Sequence, residues 1–175
     1  MKHKTKKHNV LFRRKRTGRT DYLARLEMLK SRKLRCVVRR SLKNILIQIV
    51  QYQPDGDRVL VSASTKELQK KFAWSNARRN TPAAYLVGML AGVKAKEKKI
   101  TEAILDIGRQ KTTKGSLLFA AVKGANDAGL HIPVNKEVLP EEGRIKGEHI
   151  KFKNTAFDQV KAAIMQYKPA QQEKK

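Results

Sequence analysis

Residues 35–63, RCVVRRSLKNILIQIVQYQPDGDRVLVSA, predict three consecutive β-strands. The first, residues 35–40, has an apolar centre, and isoleucines alternate with other residues along the second, residues 44–52. The third strand, residues 58–63, follows the turn sequence PDGD at 54–57, which is a strong hairpin signal. Because the connections are short, the three strands are predicted to pair in an antiparallel meander.

After the meander the apolar residues recur at helical spacing. Thr81 as N-cap and Pro82 at the first helical position predict a helix that extends to about residue 96. Gly88 and Gly92 within it predict close packing of this helix on the sheet.

A second helix and one more strand follow. Residues 103–107 form a compact apolar run typical of a buried, parallel strand. Residues 116–128 predict a long helix that ends at Gly129 as its C′ residue and is rich enough in small residues to lie tightly on the sheet. Shorter helices are predicted from a cap at Thr20 and Asp21 to about Ser31, from a capping box formed by Ser64 and Glu67, and over residues 154–166.

The order β-β-β-α-β-α predicts an α/β fold. Its mixed sheet, an antiparallel meander plus one parallel strand, is expected to be covered by helices, and this topology matches the ribonuclease H-like architecture. Three regions are predicted: a basic N-terminal arm at residues 1–19, an α/β core domain at 20–130, and an irregular and helical C-terminal segment at 131–175.

The charge of the chain favours a polyanionic partner. Forty Lys and Arg against fifteen Asp and Glu give a formal net charge of +25, with sixteen basic and two acidic residues in residues 1–40. Residues 1–19 hold nine Lys or Arg and no acid, so alone they are expected to be disordered and to fold against phosphates. The alternative is a solubilising tail.

Two other features of the sequence bear on the partner of the chain and on its cellular compartment. No run of eighteen apolar residues exists, which argues against a membrane partner. A single cysteine, Cys36, lies in an apolar run, which favours a core role in a reduced, cytoplasmic compartment. Nucleic acid is therefore the expected partner.

Catalytic chemistry finds little support in the sequence. A two-metal nuclease needs several converging carboxylates, whereas Asp106 is the only acid placed in a predicted strand of the core. The four histidines are scattered, no CxxC occurs, and the residues around Lys114 do not have P-loop spacing. We therefore expect no enzyme activity, no catalytic residue, no metal or cofactor, and no small-molecule substrate.

Basic and polar side chains instead cluster in loops and at element ends. Because strand-to-helix loops at one edge of an α/β sheet lie side by side, these clusters predict one RNA surface, although each alone could be ordinary solvated surface. With aromatics at 6% of the chain, backbone and shape recognition is expected, with Tyr22 and Trp74 as the two candidates for base contacts. The clusters are Arg39, Arg40, Ser41 and Lys43; Asn80 and Thr81; and Arg109, Lys111, Thr113, Lys114, Gly115 and Ser116.

Several segments, in order along the chain, resemble large-subunit ribosomal protein eighteen of the archaeal type. They are TDY at 20–22, RL at 25–26, LKS at 29–31, RCVVR at 35–39, NTPAAYL at 80–86, LDIG at 105–108, TKGS at 113–116, FAA at 119–121, DAGL at 127–130, IP at 132–133 and RIKGEHI at 144–150.

The resemblance implies a non-enzymatic, structural constituent of the large ribosomal subunit. Such a protein binds 5S rRNA in the central protuberance, contacts the large-subunit rRNA and adjoins neighbouring ribosomal proteins there. By the same resemblance the turn at 39–43, the loop at 113–116, the arm and the first helix are RNA contacts. The arm and helix residues are Arg13, Arg14, Lys15, Arg16, Arg19, Thr20, Tyr22 and Arg25. The competing hypotheses are a non-ribosomal RNA chaperone or assembly factor of the same fold, and a nuclease that uses Asp106.

Overall fold

The fold is seen in a computed structural model that describes residues 10–150 and 155–167. The helices are α1 (Arg13–Arg16), α2 (Tyr22–Lys30), α3 (Thr65–Lys71), α4 (Thr81–Glu97), α5 (Leu117–Asp127), α6 (Glu142–Lys146) and α7 (Thr155–Gln166), with a 3₁₀ helix at Lys136–Val138. The strands are β1 (Arg35–Arg40), β2 (Ile45–Gln51), β3 (Arg58–Ser64) and β4 (Ile104–Asp106).

The four strands form one mixed sheet in the order β3-β2-β1-β4. Strand β2 is antiparallel to both β1 and β3, with Cys36 opposite Ile49 and Ile49 opposite Val61. Strand β4 is parallel to β1, with Leu105 beside Cys36. The predicted meander and the predicted parallel strand are both confirmed.

One face of this sheet carries the core. Alternate strand residues such as Val38, Ile47 and Ala63 are at most 1% exposed, because α4 packs against β2 and β3 and α5 packs against β1. Helix α4 is buried on nearly all sides, since α5, α6 and α7 also contact it. A helix that is apolar all round is stable only when it is enclosed in this way. No helix in the described part of the chain has the length and hydropathy needed to cross a membrane.

The glycines of α4 face α5 rather than the sheet, so the predicted packing partner was wrong. A Cβ atom on Gly88 would lie 2.0 Å from the carbonyl oxygen of Ala121 in α5. Likewise, a Cβ on Gly124 of α5 would lie 2.1 Å from the carbonyl oxygen of Tyr85 in α4. The two backbones touch at this crossing, and only hydrogen atoms fit between them.

Gly124→Ala is therefore expected to destabilise the protein by about 1–3 kcal/mol, because the added methyl group forces the backbones of α4 and α5 apart. The measurement is urea denaturation followed by circular dichroism. Gly143→Ala in α6 is the matched control, since the atom nearest to the added Cβ is a carboxylate oxygen of Glu148 at 2.7 Å, at the end of a flexible side chain rather than in a backbone. Helix propensity then makes that change neutral or slightly stabilising. Equal effects of the two substitutions would contradict the close crossing.

The predicted caps of α3 and α4 differ from the structure, although Ser64 is the N-cap of α3 as predicted. Asn80, not Thr81, is the N-cap of α4, and its side-chain oxygen accepts a hydrogen bond from the Ala83 amide at 2.9 Å. The capping box before α3 does not form, because Glu67 binds the Lys94 ammonium at 2.7 Å instead. At the end of α5, Gly129 has a φ of +102°, which confirms its C′ position.

The ends of the chain were predicted less well. Residues 1–9 of the arm lie outside the described residues, but Arg13–Arg16 form a helical turn where disorder was expected. The C-terminal segment holds the 3₁₀ helix and α6 within its predicted irregular part. The predicted terminal helix is confirmed as α7, and its Phe157, Val160 and Ile164 are buried in the core.

Candidate nucleic-acid interface

The predicted interface lies where β1 and β4 end. Because these two strands are parallel, the turn after β1 and the loop after β4 start at the same edge of the sheet. Gln110 joins them: its side-chain nitrogen donates to the carbonyl oxygens of Val38 at 2.8 Å and Ile107 at 2.9 Å. Its side-chain oxygen accepts from the Arg40 amide at 3.3 Å. The predicted clusters at 39–43 and 109–116 are thus neighbours.

The start of α4 adjoins the same turn. A guanidinium nitrogen of Arg79 lies 3.5 Å from the carbonyl oxygen of Leu42, which is 87% exposed. This contact brings the third predicted cluster, Asn80 and Thr81, beside the β1–β2 turn.

The described part of the arm reaches the same region. A Cβ atom placed on Gly18 would lie 3.9 Å from a guanidinium nitrogen of Arg109, so the arm passes beside the loop after β4. Arg14 donates to the Thr20 hydroxyl at 2.8 Å, which folds the segment back on itself. A cleft of about 300 Å³ in this segment is lined by Arg13, Arg14, Thr17 and Arg19. Three guanidinium groups around one cleft suit a phosphate.

Most of the predicted RNA contacts are available to a partner. Twelve of the twenty are exposed: Arg13, Arg14, Lys15, Arg16, Arg19, Arg40, Ser41, Lys43, Arg109, Lys111, Thr113 and Lys114. Seven are half-buried: Thr20, Tyr22, Arg25, Arg39, Asn80, Gly115 and Ser116. Thr81 is only 8% exposed, because it begins the enclosed helix α4.

Some of these side chains already have partners within the protein. The Asn80 side-chain oxygen caps α4, and the Ser41 hydroxyl closes the β1–β2 turn through the backbone of Asn44. At the start of α5, the Gly115 amide donates to the Val138 carbonyl oxygen at 2.9 Å. Ser116 occupies the N-cap position, but its hydroxyl makes no capping hydrogen bond, so the first amides of α5 have no side-chain cap. Phosphates bind such helix starts in many proteins.

Asp106 is held by arginines. Its Oδ2 accepts from Arg35 at 2.9 Å, and its Oδ1 accepts from Arg39 at 2.7 Å and from the Gly108 amide at 2.9 Å. Burial alone would raise the pKa of Asp106, but the hydrogen bond and charge of Arg39, the Gly108 amide and the charge of Arg35 together lower it. The carboxylate is therefore ionised and both of its oxygens accept hydrogen bonds, and no cluster of potential metal ligands occurs among the described residues.

Trp74 was wrongly predicted to be a candidate for base contacts. Its side chain is 1% exposed and packs in the core, and its Nε1 donates to the Ala77 carbonyl oxygen at 3.1 Å. Tyr22 remains half-exposed, with its ring 5.6 Å from that of Phe12. Phe12 itself is 73% exposed and escaped the sequence analysis, although a lone aromatic residue within a basic arm could have drawn notice.

Arg35, Asp57 and Gln110 were also missed. Arg35 is 3% exposed and binds both Asp106 and Asp57, so it joins β1 to β4 and to the β2–β3 turn. No local pattern marks these pairs, because the partners lie 71 and 22 positions apart in the chain.

Comparison with known proteins shows the family to which the chain belongs. The profile of a family described as ribosomal large subunit proteins 60S L5 and 50S L18 matches residues 6–102 and 93–135. These residues include the four strands and helices α1 to α5. The chain belongs to this family. Its members are structural components of the ribosome and not enzymes.

Three curated relatives of the chain share one name, large ribosomal subunit protein uL18, and come from archaea. Large ribosomal subunit protein uL18 of Korarchaeum cryptofilum is 52% identical over 144 residues, which cover 82% of this chain and 73% of that protein. The uL18 proteins of Ignicoccus hospitalis and Caldivirga maquilingensis are 48% and 51% identical, and in each case the match covers 82% of this chain and 70% of the relative. The resemblance to the archaeal type is confirmed.

Proposed function

We propose that this protein is a structural constituent of the large ribosomal subunit that binds 5S rRNA. It helps to anchor that RNA to the large-subunit rRNA in the central protuberance, where it also contacts neighbouring ribosomal proteins. The observation that carries the proposal is the convergence of the arm, the β1–β2 turn and the loop after β4 at one edge of the sheet, in a member of a ribosomal protein family.

The chemistry of that edge suits the backbone of a folded RNA. Its exposed side chains are mainly Arg and Lys, which bind phosphates largely independently of base sequence. Of the two aromatic residues suspected of base contacts, one is in the core, so stacking on splayed bases contributes little. Recognition by shape and backbone remains the mode that the surface supports.

The proposal is tested by mixing the full-length protein with 5S rRNA and with large ribosomal subunits. We expect a stable one-to-one complex with 5S rRNA and co-sedimentation with large subunits at moderate salt. An RNA chaperone or assembly factor of the same fold would bind RNA without remaining on mature subunits. Failure to co-sediment would therefore overturn the ribosomal assignment.

Replacing Lys111 and Lys114 together by Gln is expected to weaken 5S rRNA binding by at least about tenfold at 0.1 M salt. If both ammonium groups reach phosphates, the salt slope of log K also falls by about 1.4–1.8. The measurement is a gel-shift titration at several salt concentrations.

The matched control replaces Lys96 and Lys99 by Gln, which removes the same charge. These two exposed lysines lie in the last turn of α4 and just after it, about 25 Å from the start of the helix at the proposed interface. Equal losses in the two double variants would show that net charge, and not this edge of the sheet, determines binding.

A further inference from the structure

Helix α2 carries predicted RNA contacts but has little apolar anchorage. None of its residues is buried, and Leu23 and Leu26 are 75% and 52% exposed. Arg25 links it to the turn before β3, where its guanidinium donates to both carboxylate oxygens of Asp57 at 3.0 and 2.9 Å. Because Asp57 lies just before β3, this ion pair ties α2 to the start of that strand.

Asp57 is itself held by a buried cation. Arg35 reaches it with one guanidinium nitrogen and reaches Asp106 with the other. Arg35 is 3% exposed, so its position is set by the packing of β1 rather than by solvent. An ion pair this deep contributes little net stability, but it can select one arrangement of the elements it joins.

The same chain of ion pairs continues to the loop after β4. Asp106 binds the Arg39 guanidinium and the Gly108 amide, and the Arg39 guanidinium lies against Gly108, where an added Cβ would be 3.1 Å away. Five charged side chains, Arg25, Asp57, Arg35, Asp106 and Arg39, thus connect α2 to the loop that carries Arg109 and Lys111.

We propose that Arg35 and Asp57 are positioning residues for RNA binding, which hold α2 and the loop after β4 in one fixed relation. This inference rests on the proposed function, since it concerns how the same RNA surface is built. Neither residue needs to touch RNA, because each acts through Arg25 or Asp106.

Asp57→Ala gives a test in which two explanations predict opposite signs. The substitution raises the net charge by one unit and frees Arg25, so attraction to phosphate alone predicts tighter binding. If Asp57 positions α2, binding of 5S rRNA should instead become about five- to tenfold weaker. The measurement is a gel-shift titration of the full-length protein at fixed salt.

Asp55→Ala is the matched control, because it removes the same charge from the same turn. Asp55 makes no hydrogen bond or ion pair in the described part of the chain, so this variant should bind as tightly as the original protein or tighter. Unchanged or tighter binding by Asp57→Ala would overturn the proposal. If Asp57→Ala does not fold, Asp57→Asn, which removes the charge but keeps an acceptor, decides the sign.

Hydrogen exchange on the free protein separates this proposal from the proposed function. The amides of β1 and β2 report any loss of global stability in Asp57→Ala, and relative to them the amides of residues 26–30 should exchange about tenfold faster. If the original protein fails to shift 5S rRNA, the proposed function fails, and exchange still decides whether Asp57 holds α2. Unchanged exchange in α2 would overturn the positioning role whatever the RNA result.

Discussion

Asp106→Ala is expected to lower the free energy of unfolding by about 3–5 kcal/mol, because it leaves the buried Arg35 guanidinium with one carboxylate instead of two. Asp106 is 4% exposed, and both of its oxygens are engaged by arginines. Removing one member of such a buried set costs far more than the intact set contributes, since the remaining charge cannot be resolvated. Guanidinium denaturation, with the slope m checked for constancy, measures the loss.

Glu102→Ala is the matched control for this loss. Glu102 precedes the same strand and pairs with Lys33 at 2.9 Å, but both side chains are about half exposed. Such surface pairs contribute 1 kcal/mol or less. A loss below about 1 kcal/mol for Asp106→Ala as well would mean that water reaches the arginines and that the cluster is not sealed.

The stability difference between the original protein and Asp106→Ala should depend on pH in one direction. Because the pKa of Asp106 is lowered in the folded protein, its contribution is fully present above the ordinary carboxyl value of 3.8 and is lost as the pH falls through the lowered pKa. The stability gap between the original protein and Asp106→Ala should therefore be constant from pH 7 to about 5 and shrink at lower pH. A stability gap that grows as the pH falls would contradict the conclusion that Asp106 is ionised in the folded protein.

The same substitution bears on the nuclease hypothesis. Cleavage that required magnesium and disappeared in Asp106→Ala would support it. The geometry argues against that outcome, since the carboxylate oxygens that would bind a metal already accept hydrogen bonds from Arg35, Arg39 and Gly108.

The sheet could be predicted from sequence because its signals are local. Alternating apolar residues and the turn at 54–57 place β1, β2 and β3 to within one or two residues of their observed bounds. The side-by-side placement of the basic loops also followed from topology, since β1 and β4 are parallel. These inferences need only neighbours in the chain or the order of elements.

The errors came from contacts between distant residues. Trp74 precedes a polar stretch with two arginines, and nothing local shows that its indole turns into the core. Asp57 resembled an ordinary turn residue and Asp106 a lone acid, because their shared partner Arg35 is remote in sequence. The α4 glycines predicted close packing correctly, but their partner depended on how α5 crosses α4. At the start of α4, Asn and Thr are both good caps, so sequence alone could not choose between Asn80 and Thr81.

Deleting residues 1–19 is expected to weaken 5S rRNA binding by about 10²–10³-fold at 0.1 M salt, if about four of the nine Lys and Arg in this segment reach phosphates. The salt slope of log K should then fall by about three to four units, and the difference should nearly vanish towards 1 M salt. A gel-shift series across salt concentrations measures both quantities. An unchanged slope would show that the arm does not touch this RNA.

The protein that lacks residues 1–19 should still fold, so weaker 5S rRNA binding would report lost contacts rather than unfolding. Helix α1 has no buried residue, so the shortened protein should keep the midpoint of its thermal unfolding. A chain that ends at Tyr167 is the control for truncation, because it lacks three lysines and one glutamate of the opposite terminus. That variant should bind 5S rRNA nearly as well as the full chain.

A shorter deletion divides the arm and tests the cleft. Removing residues 1–9 takes away four lysines but leaves Arg13, Arg14, Thr17 and Arg19, which line the cleft beside Arg109. A planar guanidinium group loses less side-chain freedom per hydrogen bond than a lysine ammonium group, which favours the arginines around the cleft as phosphate contacts. Residues 10–19 should therefore account for a larger share of the affinity lost in the longer deletion than the five-ninths expected from their number of cations alone. If the short deletion produces nearly the whole loss, the arm binds as a flexible polycation and the cleft is not its main RNA contact.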